Sequence, residues 1–381
     1  MKVAIIVHGK DDPKIVHELS KALAERRANI VDIEQNVFHN VFFMFLVAEA
    51  ENERVFEIKD LEEKLGVSID FKIIEKICEE KKENYVVTVL GRDRVGIVRD
   101  VTSIFMDYKV KIKKTSLTAR GDLIAIEFVV SYDGDFEELK RRLKKEAEKL
   151  KLDIVIQPYE VYRKEKRLVV FDMDSTLVDA EIIDEIAKEA GVYDEVKELT
   201  EKAVKGEIDF KRALIERVKL LKGLPVEVLE RIYSKVKLTE GARELIKALK
   251  DSGYKVAVVS GSFSYFTNKL KEELELDYAF ANELEIVDGK ITGKIKGEII
   301  DAEEKAKIIE EIAKLEGIKP ENIVAVGDGA NDVLMIEKAG LGIAFNAKEI
   351  LKEVSDGNLS KENLIGLASV LKIHSEFKKR I

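Results

Sequence analysis

Short apolar runs, each flanked by charged or turn-forming residues, recur in the second half of the chain at residues 168–171, 256–259 and 323–326. Continuous apolar runs of this length are typical of parallel strands that are buried on both faces of a sheet. The segments between them carry apolar residues at helical spacing, so that strands and helices alternate. This order predicts an α/β fold built on a doubly wound parallel sheet.

The first part of the chain contains an internal repeat, in which residues 9–16 recur as residues 91–98, a shift of 82 positions. Each copy opens with an apolar strand and continues with a helix, two strands, a charged helix and a final strand. The βαββαβ order predicts two ferredoxin-like domains, at residues 1–78 and 84–162. A Lys- and Glu-rich linker at 76–84 separates them, and a third domain follows at residues 164–381.

Polar side chains follow each of the three apolar runs of the third domain. Asp172 and Asp174 come after the first run, Ser260 and Gly261 after the second, and a Gly-Asp-Gly-Ala-Asn-Asp segment at 327–332 after the third. The carboxyl ends of parallel strands meet at one edge of a sheet, so these groups are expected to share one crevice. A serine hydroxyl and a glycine amide suit an anionic oxygen such as that of a phosphate.

Four carboxylates are expected in this crevice, and each pair of like charges at roughly 4 Å costs about 4 kcal/mol at an effective dielectric near 20. The cluster therefore requires a cation. An oxygen-only ligand set without His or Cys favours a hard ion such as Mg²⁺. Lys305, at the start of a helical segment, adds a further positive charge. The four carboxylates are those of Asp172, Asp174, Asp328 and Asp332.

The combination of Asp-x-Asp-x-Thr at 172–176, Ser260-Gly261, Lys305 and Gly-Asp-Gly-x-Asn-Asp at 327–332 resembles the haloacid dehalogenase superfamily of phosphohydrolases. The resemblance covers residues 164–381, and within the superfamily it is greatest to the phosphoserine phosphatases. It implies a Mg²⁺-dependent enzyme that hydrolyses O-phosphoserine to serine and phosphate through an aspartyl phosphate. That reaction is the last step of serine biosynthesis.

The resemblance also implies roles for individual residues. Asp172 is the nucleophile, and Asp174 protonates the leaving oxygen and later deprotonates water. The implied Mg²⁺ ligands are Asp172, Asp328 and the backbone carbonyl of Asp174, with Asp332 in support. The implied phosphate contacts are Ser260, Gly261 and Lys305, with Asn331 orienting Lys305 or the phosphate.

A long insertion at about 179–238 carries several amphipathic helical patterns, and in this family it is a helical cap that selects the substrate. Glu181 resembles the acidic contact to the substrate ammonium, and Arg217 resembles the contact to its carboxylate. A zwitterionic head group needs one anion and one cation, and a guanidinium binds a carboxylate in bidentate fashion. Phe210 is a further candidate for the wall of this pocket.

The second repeat resembles an ACT domain, a small module that binds amino acids, most clearly at residues 91–98. The implied regulatory residues there are Gly91, Asp93, Gly96 and Ile97, and serine is the candidate effector. The first repeat has Lys14 where the family has glycine, so we interpret it as a degenerate copy. Regulation by serine and simple assembly into a homodimer are alternative roles for these two domains.

The composition of the chain limits which partners and which cellular compartment we expect for it. The net charge is −9 with both signs mixed along the chain, which argues against nucleic acid as a partner. The longest apolar stretch, residues 41–48, is far too short to span a membrane. A single cysteine, Cys78, excludes an intrachain disulfide, and no targeting segment is apparent, so we expect a cytoplasmic protein.

Three alternatives to phosphoserine hydrolysis are open at this stage. The chain acts on another small phosphomonoester, it transfers the phosphoryl group of phosphoserine to homoserine, or it is a sensor that only binds an amino acid or a phosphorylated metabolite. A pure sensor has no need to keep a nucleophile next to an acid. The presence of Asp172, Asp174, Lys305 and Asp328 together therefore favours an enzyme.

Overall fold

The computed structural model describes residues 1–74, 84–120 and 123–373. Cys78 and the predicted linker, apart from its last residue, lie outside the described residues. The chain divides into two compact units, Met1–Lys81 and Lys82–Ile381, which are described separately below. Within the described ranges, no helix has both the length and the apolar content that crossing a membrane requires.

The first unit is a ferredoxin-like domain. Its antiparallel sheet has the strand order β2-β3-β1-β4, and its helices cover one face over a core that includes Ile5, Leu19, Leu23 and Leu46. In place of the predicted second helix, a 3-10 helix at Glu53–Asp60 leads into a short α-helix. The elements are β1 (Lys2–Lys10), α1 (Lys14–Glu25), β2 (Ala28–Phe38), β3 (Val41–Ala50), α2 (Leu61–Leu65) and β4 (Val67–Ile73).

The second unit begins with the second repeat, which has the same strand order, β6-β7-β5-β8. Both bounds of its first strand lie 82 positions after those of β1, in agreement with the spacing in the sequence. The elements are β5 (Asn84–Arg92), α3 (Ile97–Asp107), β6 (Lys111–Arg120), β7 (Leu123–Ser131), α4 (Phe136–Lys149) and β8 (Asp153–Pro158).

A larger α/β domain with a parallel sheet follows, as the alternation of strands and helices predicts. Its first half consists of α5 (Tyr159–Arg163), β9 (Leu168–Phe171), α6 (Ile182–Ala190), α7 (Tyr193–Val204), α8 (Phe210–Leu220), α9 (Glu227–Lys235), α10 (Ala242–Asp251), β10 (Lys255–Phe263) and α11 (Ser264–Leu274). Its second half consists of β11 (Tyr278–Val287), β12 (Lys290–Lys296), α12 (Ala302–Leu315), β13 (Ile323–Gly327), α13 (Val333–Lys338), β14 (Leu341–Phe345), α14 (Glu349–Val354), β15 (Gly357–Leu359) and α15 (Leu367–Val370).

Strand β9 lies in the middle of this domain between β10 and β13, parallel to both. Its four residues are fully buried and alternate between two separate cores. Val169 and Phe171 pack with α6 and α10 on one face, whereas Leu168 and Val170 pack with α12 and α13 on the other. A strand buried on both faces explains the unbroken apolar run in the sequence.

Helices α6 to α9 form an insertion between β9 and β10, at the position of the predicted cap. The chain leaves the core at Val178 and returns at Leu238, where these two residues form an isolated antiparallel bridge. The amide of Asp179 also donates to the carbonyl of Lys237 at 2.9 Å. The insertion therefore begins and ends beside the carboxyl end of β9.

The second repeat and the parallel sheet are joined edge to edge. Strand β15 pairs antiparallel with β8, so that one continuous sheet runs from β12 to β6 through the described part of this unit. A side chain at Gly357 would lie within 3 Å of Val155 on the neighbouring strand, so glycine permits the close approach. We call the contact between β8, α4 and the segment 352–360 the seam. Nothing in the sequence pattern indicated this shared sheet.

Lys144, on α4, is buried in the seam with 8% of its surface exposed. Its Nζ donates to the carbonyl oxygen of Lys352 at 2.7 Å and to both the carbonyl and the hydroxyl of Ser355. Burial, followed by the charge of Lys140, lowers the pKa of Lys144 to about 7. The side chain thus joins α4 to the segment 352–355 across the seam.

We predict that Lys144→Met lowers the free energy of unfolding by about 1–3 kcal/mol, because it leaves buried acceptors unpaired. The folded pKa of Lys144, about 7, is below its ordinary value of 10.5, so between these values the unfolded chain binds one more proton. Stability contributed by this residue therefore rises as the pH rises from 7 to 10.5, and the gain is lost again as the pH falls back to 7.

Urea unfolding of the parent and the variant at pH 7 and pH 9 measures both effects. The exposed neighbour Lys145→Met is the matched control and should change stability little. An equal effect of the two substitutions, or no larger difference at pH 9 than at pH 7, would contradict this account of the seam.

Candidate active site

Asp172 and Asp174 lie on the turn that leaves β9. The amide of Asp172 donates to the carbonyl of Val326 at 2.8 Å, which continues the sheet by one residue. Ser175 then adopts a positive φ of 55°, and the chain turns back towards α6. Asp174 accepts a hydrogen bond from the amide of Ile182 at 2.9 Å, so its carboxylate caps that helix.

The polar segments after β10 and β13 lie at the same edge of the sheet. Phe171 of β9 is level with Val258 of β10 and with Val326 of β13, so the three strands end together. The hydroxyl of Ser260 donates to Asp174 at 3.3 Å. The structure therefore brings together the three polar segments whose proximity the sequence predicted.

A fully buried lysine joins two of these segments. Nζ of Lys305, on α12, donates to Asp172 at 2.5 Å and to Asp332 at 2.7 Å. The other carboxylate oxygen of Asp332 accepts from the amides of Asp328 and Gly329 at 3.0 and 3.1 Å. Burial alone would lower the pKa of Lys305, but the charges of Asp172 and Asp332 outweigh it and raise the pKa.

Negative charge exceeds positive charge in this cluster. Carboxylate oxygens of Asp172, Asp328 and Asp332 lie within 4.8 Å of one another, and the ammonium of Lys305 pairs with two of them, Asp172 and Asp332. Burial raises the pKa of Asp172 well above its ordinary value and raises the pKa of Asp328 to about 7. The negative charge of Asp332 is the second largest cause of both shifts. A further cation would relieve this cost.

The donor set fits a hard divalent ion. Both oxygens of Asp332 are occupied by Lys305 and by backbone amides, whereas within the described residues the carboxylate of Asp328 accepts no hydrogen bond. Asp172 and Asp328 are thus the side chains whose oxygens could bind a metal ion. The group of candidate ligands in the described residues contains aspartates and neither His nor Cys. Oxygen donors of this kind suit Mg²⁺.

Asp174 has a different environment from Asp172. Burial, followed by the charge of Glu181, raises the pKa of Asp174 to about 7, against the opposing effects of the Ile182 amide and Lys305. A carboxyl group with such a pKa holds a proton for part of the time at neutral pH. Two neighbouring carboxyl groups with different surroundings are the arrangement that general acid catalysis requires.

A cavity of about 320 Å³ lies between this edge of the sheet and helices α6 to α8. Ser260, Lys305 and Asp332 do not line it and are buried beneath its floor. The predicted site residues that line the cavity are Asp172, Asp174, Glu181, Phe210, Arg217, Gly261, Asp328 and Asn331.

Arg217 is the most unusual of the cap residues, because a guanidinium with 8% of its surface exposed has only neutral partners. It donates to the carbonyl of Ala213 at 3.3 Å and to the hydroxyl of Thr200 at 3.2 Å. No carboxylate oxygen of the described chain lies within 4 Å of it. Burial lowers the pKa of Arg217, partly offset by the charge of Asp184. A buried cation without a counterion leaves room for an anionic ligand.

Glu181 and Phe210 lie at other points of the cavity wall. Glu181 precedes α6 and accepts from the hydroxyl of Ser175 at 2.8 Å. Phe210 begins α8, and its ring lies 3.0 Å from where a side chain at Gly261 would begin. Glycine at position 261 therefore allows the cap to approach the strand end.

Three further residues shape the site without having been identified in the sequence. The side chain of Asn282 donates to the carbonyl of Gly261 at 2.8 Å and accepts from the amide of Ile300 at 2.9 Å, which fixes the Gly261 turn next to α12. Thr200 holds Arg217, and Lys348 lines the cavity while its amide donates to the carbonyl of Asp328. None of the three belongs to a local motif, so only the fold reveals them.

The predicted regulatory residues lie in the second repeat and do not line this cavity. Gly91 is the second-to-last residue of β5, Gly96 precedes α3 with a positive φ of 97°, and Ile97 is the buried first residue of that helix. Asp93 lies in the exposed turn between them. Two arginines, Arg94 and Arg99, converge on Asp100 beside this turn and lower its pKa.

Comparison with known proteins identifies the family. Residues 166–340 match the haloacid dehalogenase-like hydrolases, and residues 2–72 and 83–157 match the ACT domain. Phosphoserine phosphatase of Archaeoglobus fulgidus is 64% identical over 344 residues, 90% of this chain and 100% of the relative.

A shorter phosphoserine phosphatase, from Methanocaldococcus jannaschii, is 54% identical over 55% of this chain and 99% of its own length. The crystal structure of a probable phosphoserine phosphatase from Vibrio cholerae matches 78% of this chain and 89% of its own, with 34% identity and a TM-score of 0.61. The chain therefore belongs to the phosphoserine phosphatase family of haloacid dehalogenase-like hydrolases and carries two ACT domains before its hydrolase domain.

Proposed function

We propose that this protein hydrolyses O-phosphoserine to serine and inorganic phosphate, as the last step of serine biosynthesis, with Mg²⁺ as its metal. One observation carries the proposal. A single cavity has two differently tuned carboxyl groups, Asp172 and Asp174, at its floor, and a buried guanidinium without a counterion, Arg217, in its wall. The floor suits a phosphoryl group, and the wall suits the carboxylate of an amino acid.

In the first step, a carboxylate oxygen of Asp172 attacks phosphorus, and the bond from phosphorus to the serine oxygen breaks. Asp174 gives its proton to that oxygen, which leaves as the hydroxyl of serine. The pKa of about 7 supports this acid role, because a carboxyl group with its ordinary pKa would seldom hold a proton at neutral pH. The product on the enzyme is an aspartyl phosphate at Asp172.

In the second step, Asp174, now ionised, takes a proton from a water molecule whose oxygen attacks phosphorus. The bond from phosphorus to Asp172 breaks, phosphate leaves, and both carboxyl groups return to their starting states. Lys305, held by Asp172 and Asp332, places positive charge beside the transferring group. The amide of Gly261 lies at the adjoining strand end, where the phosphoryl oxygens would be bound. The hydroxyl of Ser260 is buried beneath it and donates to Asp174, so it would bind a phosphoryl oxygen by exchanging that hydrogen bond.

The divalent ion would be held by Asp172, Asp328 and the backbone carbonyl of Asp174. Bound there, the ion would supply positive charge next to the phosphoryl oxygens. Asp332 keeps Asp328 and Lys305 in place through its hydrogen bonds. The charge excess among the buried carboxylates is the observation that supports this assignment.

The head group of the substrate would lie against the cap. The carboxylate of phosphoserine would pair with Arg217, and its ammonium with Glu181. Thr200 and the carbonyl of Ala213 orient the guanidinium by accepting one N–H group each, and the three remaining N–H groups are available to the carboxylate. Phe210 narrows the cavity between these two charges and the phosphoryl site.

Asp172→Asn is expected to reduce turnover of phosphoserine at least about 1,000-fold, because the amide is neither a nucleophile nor an anionic ligand. Removal of divalent metal with EDTA should abolish parent activity, and added Mg²⁺ should restore it. Phosphate release measures both. Asp251→Asn, an exposed aspartate at the end of α10, is the control. Near-parental activity of Asp172→Asn, or metal-independent turnover, would refute the mechanism.

Arg217→Ala is expected to lower kcat/KM for phosphoserine by roughly 30- to 1,000-fold, equivalent to about 2–4 kcal/mol. Phosphoethanolamine, which lacks the carboxylate, should lose much less. Arg212→Ala, on the exposed side of the same helix, is the matched control. Equal losses on both substrates would mean that Arg217 has only a structural role, and thermal unfolding checks that the variant is folded.

We also propose that the second ACT domain binds serine at the turn of residues 91–97 and that the protein is a homodimer. Arg94 and Arg99 share the single carboxylate of Asp100, so one net positive charge lies beside the backbone amides at the start of α3, where a carboxylate could bind. Product feedback requires a site apart from the phosphate cavity. Serine binding there alters activity only if the affinity differs between two states of the protein.

Gly96→Ala should reduce inhibition by serine and leave basal hydrolysis intact. Gly66→Ala is a matched control, since Gly66 also has a positive φ but open space around it. A chain that starts at residue 164 should hydrolyse phosphoserine without a serine response. Because this chain lacks β8 and leaves the edge of β15 unpaired, circular dichroism first checks that it is folded, and sedimentation analysis compares its oligomeric state with that of the parent. Unchanged serine inhibition in that shortened chain would assign any serine effect to the active site instead.

A further inference from the structure

Two basic side chains of the described residues line the catalytic cavity, Arg217 and Lys348. Arg217 pairs with the substrate carboxylate in the proposed reaction, whereas Lys348 has no role in that reaction. Lys348 follows β14 and its side chain is exposed, so it lies where the cavity opens to solvent. A ligand that enters the cavity therefore passes close to a positive charge.

The backbone of Lys348 is fixed to the turn that carries Asp328. Its amide donates to the carbonyl of Asp328 at 3.0 Å, and its own carbonyl accepts from the amides of Leu351 and Lys352 at 3.0 and 3.2 Å. The side chain therefore begins at a defined point beside Asp328, one of the side chains whose oxygens could bind the metal ion. Only its four-carbon stem and the ammonium are free to reorient.

The ammonium of Lys348 is available to a ligand, since it makes no hydrogen bond or ion pair within residues 1–74, 84–120 and 123–373. Its charge nevertheless acts on the neighbouring carboxylate. Burial is the main cause of the raised pKa of Asp328, and the charge of Lys348 is the largest opposing effect, ahead of that of Lys305. Lys305 is buried and held by two carboxylates, whereas Lys348 can turn towards a ligand.

The proposed reaction leaves the phosphoryl group without a matching positive charge. Near neutral pH this group carries about two negative charges. With the metal in place, the floor beneath it has three carboxylates against one ammonium and one divalent ion, and so no net charge. Asp174 holds the proton that it donates, and the head group is matched by Arg217 and Glu181. The floor residues in this count are Asp172, Asp328, Asp332 and Lys305.

We propose that the ammonium of Lys348 supplies the missing positive charge, by attracting the phosphate end of the substrate into the cavity and by binding the phosphate that hydrolysis releases. This role rests on the proposed phosphatase reaction. An ammonium on a flexible stem acts as a point charge, so it adds attraction rather than a fixed orientation. The chain has a net charge of −9, and a local cation at the opening offsets the repulsion that an approaching dianion meets.

Calorimetric titration of the full-length chain with inorganic phosphate, in the presence of Mg²⁺, tests the proposal. Lys348→Met should weaken phosphate binding about fivefold, whereas Lys348→Arg, which keeps the charge, should stay within about twofold of the parent. Lys247→Met is the matched control, because Lys247 is exposed on α10, lies outside the cavity and changes the net charge equally. Its phosphate affinity should equal that of the parent.

The proposal is overturned if the parent binds no phosphate, if Lys348→Met binds phosphate as tightly as the parent, or if Lys348→Arg is as weak as Lys348→Met. Equal weakening by the two methionine variants would also overturn it, since the cause would then be the net charge of the chain rather than the position of Lys348.

Salt dependence separates attraction by charge from a structural role. We expect Lys348→Met to lower kcat/KM for phosphoserine about three- to tenfold at about 20 mM sodium chloride and to approach the parent at about 500 mM, where charges are screened. The value of kcat should change less than about twofold. A loss of the same size at both salt concentrations would contradict the proposal. If the parent does not hydrolyse phosphoserine, the proposed function fails, whereas the phosphate affinities of the variants still decide the role of Lys348.

Discussion

The buried ammonium of Lys305 is the contact on which the catalytic site depends. It lies between Asp172 and Asp332 with none of its surface exposed, and it joins the turn after β9 to the turn after β13 through α12. Removing one partner of such a buried group costs several kcal/mol, because a charge is left without compensation. One ammonium group does not neutralise the cluster, because more carboxylates than cations meet there. The same cluster therefore holds the two turns together and keeps an excess of negative charge that a metal ion could neutralise.

The positions of the catalytic groups follow from the sheet. Parallel strands that are buried on both faces end at a common edge, so short motifs far apart in sequence lie side by side. This is why the apolar runs predicted the strand ends and the proximity of the polar residues that follow them. The cap helices were predictable as amphipathic segments, but not the isolation of Arg217 from every described carboxylate. That property depends on which neighbours are absent, and no local pattern encodes it.

Two features escaped prediction for a different reason. Asn282 has no motif around it, and its importance comes from bonding two segments, at Gly261 and Ile300, that are separated along the chain. The pairing of β15 with β8 escaped as well, because β15 is only three residues long and carries no strand pattern. The ferredoxin-like order of each repeat was readable from its own sequence. The second repeat joins the hydrolase sheet because β15 can lie close to β8, and this close approach requires that Gly357 has no side chain next to Val155.

The continuous sheet also determines which of its edges could pair with a strand from another molecule. Pairing with β8 removes β15 as a free edge, and at the other end the cap residues 223–226 hydrogen-bond to β12. The remaining border of the described sheet is β6, which carries exposed lysines at positions 111, 113 and 114. Lysines on a border strand disfavour the addition of a strand from another molecule. The hydrolase domain is in this way shielded from edge-to-edge aggregation by its neighbouring module, a protective role that requires no ligand.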